Sequence, residues 1–127
     1  MATLSEIMTK DVATAEPTAS VADVARAMMK GRFGSVIIFE SGWIAGIFTE
    51  RDVLRAAASG KDLNAEPVAE WMTPDPQTVD AGMEADEAAG IMASQGFRHL
   101  PVVDGKDLLG IVSLRDVLAT RIARTPR

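Results

Sequence analysis

The chain has 127 residues, 47% of them hydrophobic and 24% charged, which suits one globular domain or two very small ones and excludes wholesale disorder. It has no cysteine and one histidine, His99, so disulfides, thiolate metal sites and any site needing two imidazoles from one chain are excluded. The net charge of −5 argues against nucleic acid or an anionic membrane as partner, since both demand a basic footprint, but leaves room for a small local anion pocket.

The opening Met1-Ala-Thr-Leu-Ser-Glu has no basic segment followed by a long apolar run, so no secretory signal is expected. The densest apolar stretch, Val36 to Phe39, is far too short to span a bilayer, and a cytoplasmic location is expected. Val12–Ala15 is a short strand ended by Pro17-Thr18. Ser20-Val-Ala-Asp23 is a capping-box pattern with Asp in place of Glu, opening a helix in which Val21, Val24, Ala25, Met28 and Met29 recur at helical spacing. Gly31 and Gly34 bracket the end of that helix. Ser35–Phe39 is a β-branched strand, Ser41-Gly42 a turn and Trp43–Phe48 a second strand. Thr49–Ala58 is helical, with Val53, Leu54, Ala57 and Ala58 on one face. Ala56–Pro67, with its Ser59-Gly60-Lys61-Asp62 core, is a connection. The same order then returns. Met83–Gln95 is a helix, Leu100–Val103 a strand, Asp104–Asp107 a hairpin turn, Leu108–Val112 a strand and Leu114–Ala123 the last helix. Thr125-Pro126-Arg127 is a loose tail.

That return is an internal repeat. Shifted by 64 residues, the second half lies on the first without a gap, with 13 identities in the 49 positions from Ile7–Arg55 to Trp71–Ala119. Ordinary composition would give about 3. Met8-Thr9 meets Met72-Thr73, Gly46-Ile47 meets Gly110-Ile111, and Arg51-Asp-Val-Leu54 meets Arg115-Asp-Val-Leu118. Two copies are too few for a solenoid and suggest a pseudo-twofold pair. The fold class is mixed α/β: two β-α-β-β-α units, residues 1–60 and 68–127, joined by a linker at 61–67. Each copy is marginal alone, so the two are expected to bury apolar faces against each other.

Gly46-Ile-Phe-Thr49-Glu-Arg51-Asp52 recurs as Gly110-Ile-Val-Ser113-Leu-Arg115-Asp116, at a strand-to-helix junction each time. Thr49 and Ser113 stand at the helix N-cap, with Asp52 and Asp116 three residues on, which by itself describes a second capping box. An anion seat is the other possibility. A helix start offers free N–H groups and the positive dipole end to a phosphate. The glycines would let a ligand approach the backbone. Arg51 and Arg115 oppose the dipole by roughly 0.3–1 kcal/mol, which an anion nearby, or pairing with neighbouring carboxylates, would offset. A carboxylate beside such a seat can accept hydrogen bonds from the vicinal hydroxyls of a ribose. Phosphate and ribose together describe a nucleotide.

Arg98 and His99 open the second strand of copy two and are phosphate-compatible donors. Copy one has Gly34-Ser35 there, so the two sites differ chemically. The methionines at 8, 28, 29, 72, 83 and 92 are core filling. Trp43 and Trp71 are packing residues or the wall of a purine pocket. Asp104–Asp107 lacks the alternating ligands of a calcium loop, and no P-loop, GxGxxG or GxSxG pattern is present.

Ile7-Met8-Thr9 and Trp71-Met72-Thr73, Arg98-His-Leu-Pro-Val-Val-Asp104, and Gly-Ile-x-Thr/Ser-x-Arg-Asp in both copies, in this order and spacing, resemble a pair of CBS domains over about residues 4 to 122. The resemblance implies two units packed through their sheets, with two clefts that take adenosine-containing ligands such as AMP, ADP, ATP, NAD or S-adenosylmethionine. It implies that Asp52 and Asp116 hold ribose hydroxyls and that Thr49 and Ser113 meet phosphate or ribose. Backbone at Val12-Ala13 and Pro76-Gln77 would edge the adenine. Gly34-Ser35 and Arg98-His99 would line the clefts, Arg98 and His99 toward phosphate. It also implies a homodimer through helix faces such as Val53/Leu54/Ala57 and Val117/Leu118/Ile122, and regulation of an attached or separate target protein.

The expected function is therefore a stand-alone sensor that requires no cofactor, takes a nucleotide as regulatory ligand, and has no nucleic-acid or membrane partner. An interaction module with empty clefts is the alternative. Catalysis is not expected, because no nucleophile–base pair and no metal cluster stands out.

Overall fold

The computed structural model describes the backbone of residues 2–124 and the side chains through residue 121. The expected tail at Thr125–Arg127 and the side chain of Ile122 lie outside the described residues. In chain order the elements are α1 (Leu4–Ile7), β1 (Thr14–Ala15), α2 (Val21–Gly31), β2 (Ser35–Glu40), β3 (Trp43–Thr49) and α3 (Glu50–Ala58). A 3-10 turn at Val68–Glu70 follows, then β4 (Thr73–Pro74), β5 (Val79–Asp80), α4 (Ala85–Gln95), β6 (His99–Asp104), β7 (Asp107–Ser113) and α5 (Leu114–Arg124).

The chain divides into two compact units, Ala13–Pro76 and the combination of Met1–Val12 with Gln77–Arg127. These are offset from the sequence repeats. Each unit gathers the body of one repeat and the lead segment of the other.

In the Ala13–Pro76 unit the sheet runs β1-β2-β3-β4, with β1 parallel to β2 and the other pairs antiparallel. Ser41 and Gly42 both take positive φ, 54° and 82°, as a two-residue hairpin matched to strand twist requires. Val21, Val24 and Met28 of α2 meet Val36, Ile38 and Phe48 of the sheet, with Ala56 of α3 and Val68 completing the core. Met29 is 81% exposed, one position beyond the 21/24/28 stripe, and is not core filling. The face of α3 also differs from the expected one. Asp52 and Ala56 are buried and Val53 half-buried, whereas Leu54, Ala57 and Ala58 are exposed, because the inward stripe follows Asp52 to Ala56 at i,i+4. Arg32, rather than a glycine, takes the left-handed C-cap of α2 at φ 59°, a conformation that costs an L-residue roughly 1–2 kcal/mol. The equivalent cap of α4 is Gly96.

The connection after α3 is docked on the unit. Val21 N and Ala22 N, at the head of α2, donate to the carbonyls of Glu66 (2.8 Å) and Leu63 (3.0 Å), while Asp23 N donates to Ser20 Oγ (3.0 Å). Three of the orphan amides of that helix are answered this way, two of them by the connection. Asp23 does not close the expected box; its carboxylate accepts from Arg26 at 2.8 Å.

In the other unit β5 runs parallel to β6 and β6 antiparallel to β7. Its core is Val79, Ala85, Ala88, Met92, Leu100, Val102, Val112 and Val117, closed by Leu4 from the lead segment. Leu4 and Val68 are separated by the repeat distance and both are fully buried. Leu4 N donates to Met83 O (2.9 Å) as Val68 N donates to Ala19 O (2.8 Å). The hairpin bulge recurs too, at Ile38/Phe39 and at Val102/Val103.

Candidate functional site

In each unit the strand-to-helix corner is held by main-chain bonds. Ser35 pairs with Thr49 across β2 and β3, and Glu50 N donates to Gly34 O at 3.2 Å. His99 pairs with Ser113 across β6 and β7, and Leu114 N donates to Arg98 O at 2.9 Å. Gly34, Ser35, Thr49, Arg51 and Asp52 are thus neighbours in one unit, and Arg98, His99, Ser113, Arg115 and Asp116 in the other. Parallel pairing sets Ala13, just before β1, at the sheet end where β2 begins, and Gln77, before β5, at the end where β6 begins. Val12 and Pro76 each fall on the far side of a unit boundary from their neighbours Ala13 and Gln77.

The helix starts are capped as expected. Thr49 N (2.9 Å) and Thr49 Oγ1 (3.2 Å) both donate to Asp52 Oδ2. Ser113 N donates to Asp116 Oδ2 at 2.8 Å, and Asp116 N donates to Ser113 Oγ at 3.1 Å. Beyond the cap the carboxylates diverge. Asp52 is 5% exposed and its Oδ1 accepts from Arg55 Nη1 at 2.9 Å. Asp116 is half-buried, and among the described residues its Oδ1 accepts no hydrogen bond. The residue equivalent to Arg55 is Ala119. Arg51 and Arg115 are exposed and make no ion pair among the described residues, so pairing with neighbouring carboxylates does not explain them.

One part of the expected site is already filled by the chain. A Cβ built on Gly46 would lie 2.8 Å from Met72 Cγ and 2.9 Å from Thr73 O; one on Gly110 would lie 2.7 Å from Thr9 O and 3.0 Å from Met8 Cγ. The glycines therefore admit the Met-Thr lead segments rather than a ligand. Thr73 pairs with Ile47, and Thr9 with Ile111, in the same register. Both repeated motifs, Met-Thr and Gly-Ile, are halves of one joint.

Arg55 is not among the expected site residues, and Trp71, expected as a packing residue or the wall of a purine pocket, meets it here. The indole of Trp71 donates to Glu66 Oε1 at 3.2 Å, and Arg55 stacks 5.6 Å from its ring centroid with Lys61 at 5.9 Å. Arg55 at i+3 from Asp52 is a pairing that helix spacing can reveal; its meeting with Trp71 depends on where the connection docks. Among the described residues no group of three His, Asp or Glu could hold a metal ion, and no helix is long and apolar enough to cross a membrane.

The model of the CBS domain matches residues 4–59 and again 68–122. A 17.7 kDa protein from the bps2 3′ region of Acidianus ambivalens is 40% identical over 117 residues, covering 90% of this chain and 70% of the relative. The CBS domain-containing protein YhcV of Bacillus subtilis is 32% identical over 124 residues, covering 97% and 88%. Among solved structures, a protein with CBS domains from Burkholderia ambifaria superposes with a TM-score of 0.93 at 28% identity, covering 99% of this chain and 98% of that one. The CBS domain pair of protein MJ0100, in complex with 5′-methylthioadenosine and S-adenosyl-L-methionine, superposes with a TM-score of 0.86 at 25% identity, covering 94% and 99%. With both repeats matched and the fold shared end to end, this chain belongs to the CBS-domain family and carries two tandem copies of the domain.

Proposed function

We propose that this chain is a non-catalytic, cytoplasmic regulatory module that binds an adenosine-containing ligand (AMP, ADP, ATP, NAD or S-adenosylmethionine) and signals through altered packing or dimer geometry to a target protein. The observation that carries this reading is the corner itself: an N-cap hydroxyl, a carboxylate three residues on, an exposed arginine in the first helical turn and, in repeat two, Arg98-His99 at the adjoining strand start. The cap and main-chain bonds occupy amides at these helix starts, so the exposed cations suit phosphate and the carboxylate suits ribose. The ligands of the MJ0100 pair, 5′-methylthioadenosine and S-adenosyl-L-methionine, carry the ribose and adenine of this class and no phosphate, so they support the ribose part of the reading. A ligand moves such a module only by its differential affinity for two states, and charge-assisted hydrogen bonds of roughly 1.5–3 kcal/mol each supply enough.

The test is thermal unfolding with AMP, ATP, NAD and S-adenosylmethionine. A ligand held at one hundred times its Kd stabilises by about 2.7 kcal/mol, a rise in Tm of roughly 8–13 °C for a domain of this size. No shift with any of them would leave the second reading, a dimerisation module with empty sites. That reading is favoured by Leu54 and Leu118, equivalent helix positions that stand 71% and 47% exposed.

A further inference from the structure

The two corners are equivalent in backbone and unequal in chemistry, and every difference points the same way. At repeat one the first helical turn brings Glu50, and the adjoining strand start is Gly34-Ser35, which carries no cation. At repeat two those places hold Leu114 and Arg98-His99, so the local charge there is more positive. Asp52 has both carboxylate oxygens engaged, Oδ2 by Thr49 and Oδ1 by Arg55 at 2.9 Å. Arg55 is in turn anchored: it also donates to Trp71 O at 3.3 Å and lies over the Trp71 ring. That ring is tied to Glu66, whose Oε1 stands 3.8 Å from Lys61 Nζ. A ribose approaching Asp52 must displace a guanidinium held by three contacts. Among the described residues nothing donates to Asp116 Oδ1, so a ribose approaching it displaces none of their donors.

We infer that the two repeats divide the work: repeat two supplies the nucleotide-accepting corner through Asp116, while Arg55 and Trp71 form a latch that withholds Asp52 in repeat one. This rests on the nucleotide reading proposed above and specifies which repeat carries it. Arg55 acts here as a masking residue that touches no ligand. Ala119 is the position that a latch would occupy in repeat two, and it is exposed, with room for an arginine.

Titration calorimetry with AMP on the full chain, combined with residue-by-residue amide shifts in the same titration, tests the division. The expected result is one AMP per chain, with shifts concentrated at 98–99 and 113–116. Asp116→Asn should weaken binding at least tenfold, roughly the loss of one charge-assisted bond, and Asp52→Asn should change it by less than about twofold. Ala119→Arg, which installs the i+3 guanidinium beside Asp116, should weaken AMP about tenfold. Asp52 is buried, so if Asp52→Asn does not fold, the amide shifts of the parent chain decide alone. Two equal sites per chain, shifts centred on 49–52, or an Ala119→Arg variant that binds like the parent would overturn the division while leaving the nucleotide reading in place. Absence of any heat or shift with AMP, ATP, NAD or S-adenosylmethionine, in the parent and in Arg55→Ala alike, would overturn both.

Discussion

Gly110→Ala and Gly90→Ala make the same chemical change and should move stability in opposite directions. At Gly110 the new methyl meets Thr9 O at 2.7 Å and Met8 Cγ at 3.0 Å. Met8 can rotate, but Thr9 O belongs to a backbone fixed by Thr9 N to Ile111 O (2.8 Å) and Ile111 N to Thr9 O (2.9 Å). Relief requires moving the lead segment off β7. Overpacking costs about 1–3 kcal/mol, and weakening two main-chain bonds adds about 0.5–1.5 kcal/mol each. The lower entropy of the unfolded chain returns about 0.4–1 kcal/mol. The net is a loss of roughly 1–5.6 kcal/mol, or about 3–28 °C in Tm for a chain of this length. At Gly90, inside α4, nothing lies within 4 Å of the added carbon. Alanine there gains up to about 1 kcal/mol of helix propensity, roughly 3–5 °C. Calorimetric melting reads both, and hydrogen exchange at the Thr9 and Ile111 amides reports whether the joint has opened. A Gly110→Ala protein that melts within about 2 °C of the parent with both amides still protected would refute the close-approach account.

Two further outcomes follow from other features. Glu6 accepts from the backbone N–H of Thr3 at 3.1 Å and from its hydroxyl at 2.9 Å, which holds its carboxyl below the ordinary 4.5. The folded value is the lower one, so the cap is fully formed above about pH 4.5 and is lost as pH falls through the folded value; carbon-detected titration of the Glu6 carboxyl with a midpoint at or above 4.5 would contradict it. If the exposed Leu54 sits in a homodimer interface, Leu54→Glu should shift the sedimenting species toward monomer without lowering the monomer's helix content, and an unchanged assembly would remove that face from consideration.

The repeat made most of the fold legible. Helices at 21–31 and 85–95, the hairpins between them and the capped helices after them recur at one spacing, and periodicity plus turn residues suffices to place such elements. What escaped was long-range. Ser59–Pro67 has the composition of a linker, yet its carbonyls cap α2, and only docking reveals that. Hydrophobicity favours Leu54 and Ala57 as the inward face of α3, while geometry buries Asp52, a charged residue that burial tolerates because three donors satisfy it. The site residues were legible as a motif because a cap and its carboxylate are local. Arg55's hold on Asp52 lay within one helix turn and was readable; its anchor on Trp71 was not. The glycines of the motif are legible in the sequence, but their neighbours, Met72 and Met8, lie 26 and 102 positions away.

The crossed lead segments bear on how such a chain can be cut. A fragment stopped at residue 60 would keep the first body but forfeit Leu63, Val68 and Met72-Thr73, leaving a bare furrow over Gly46 and two unanswered amides at the head of α2. A single copy that kept this pairing would need the leader of a second molecule. With both leaders in one polypeptide the exchange is intramolecular, free of any dependence on concentration.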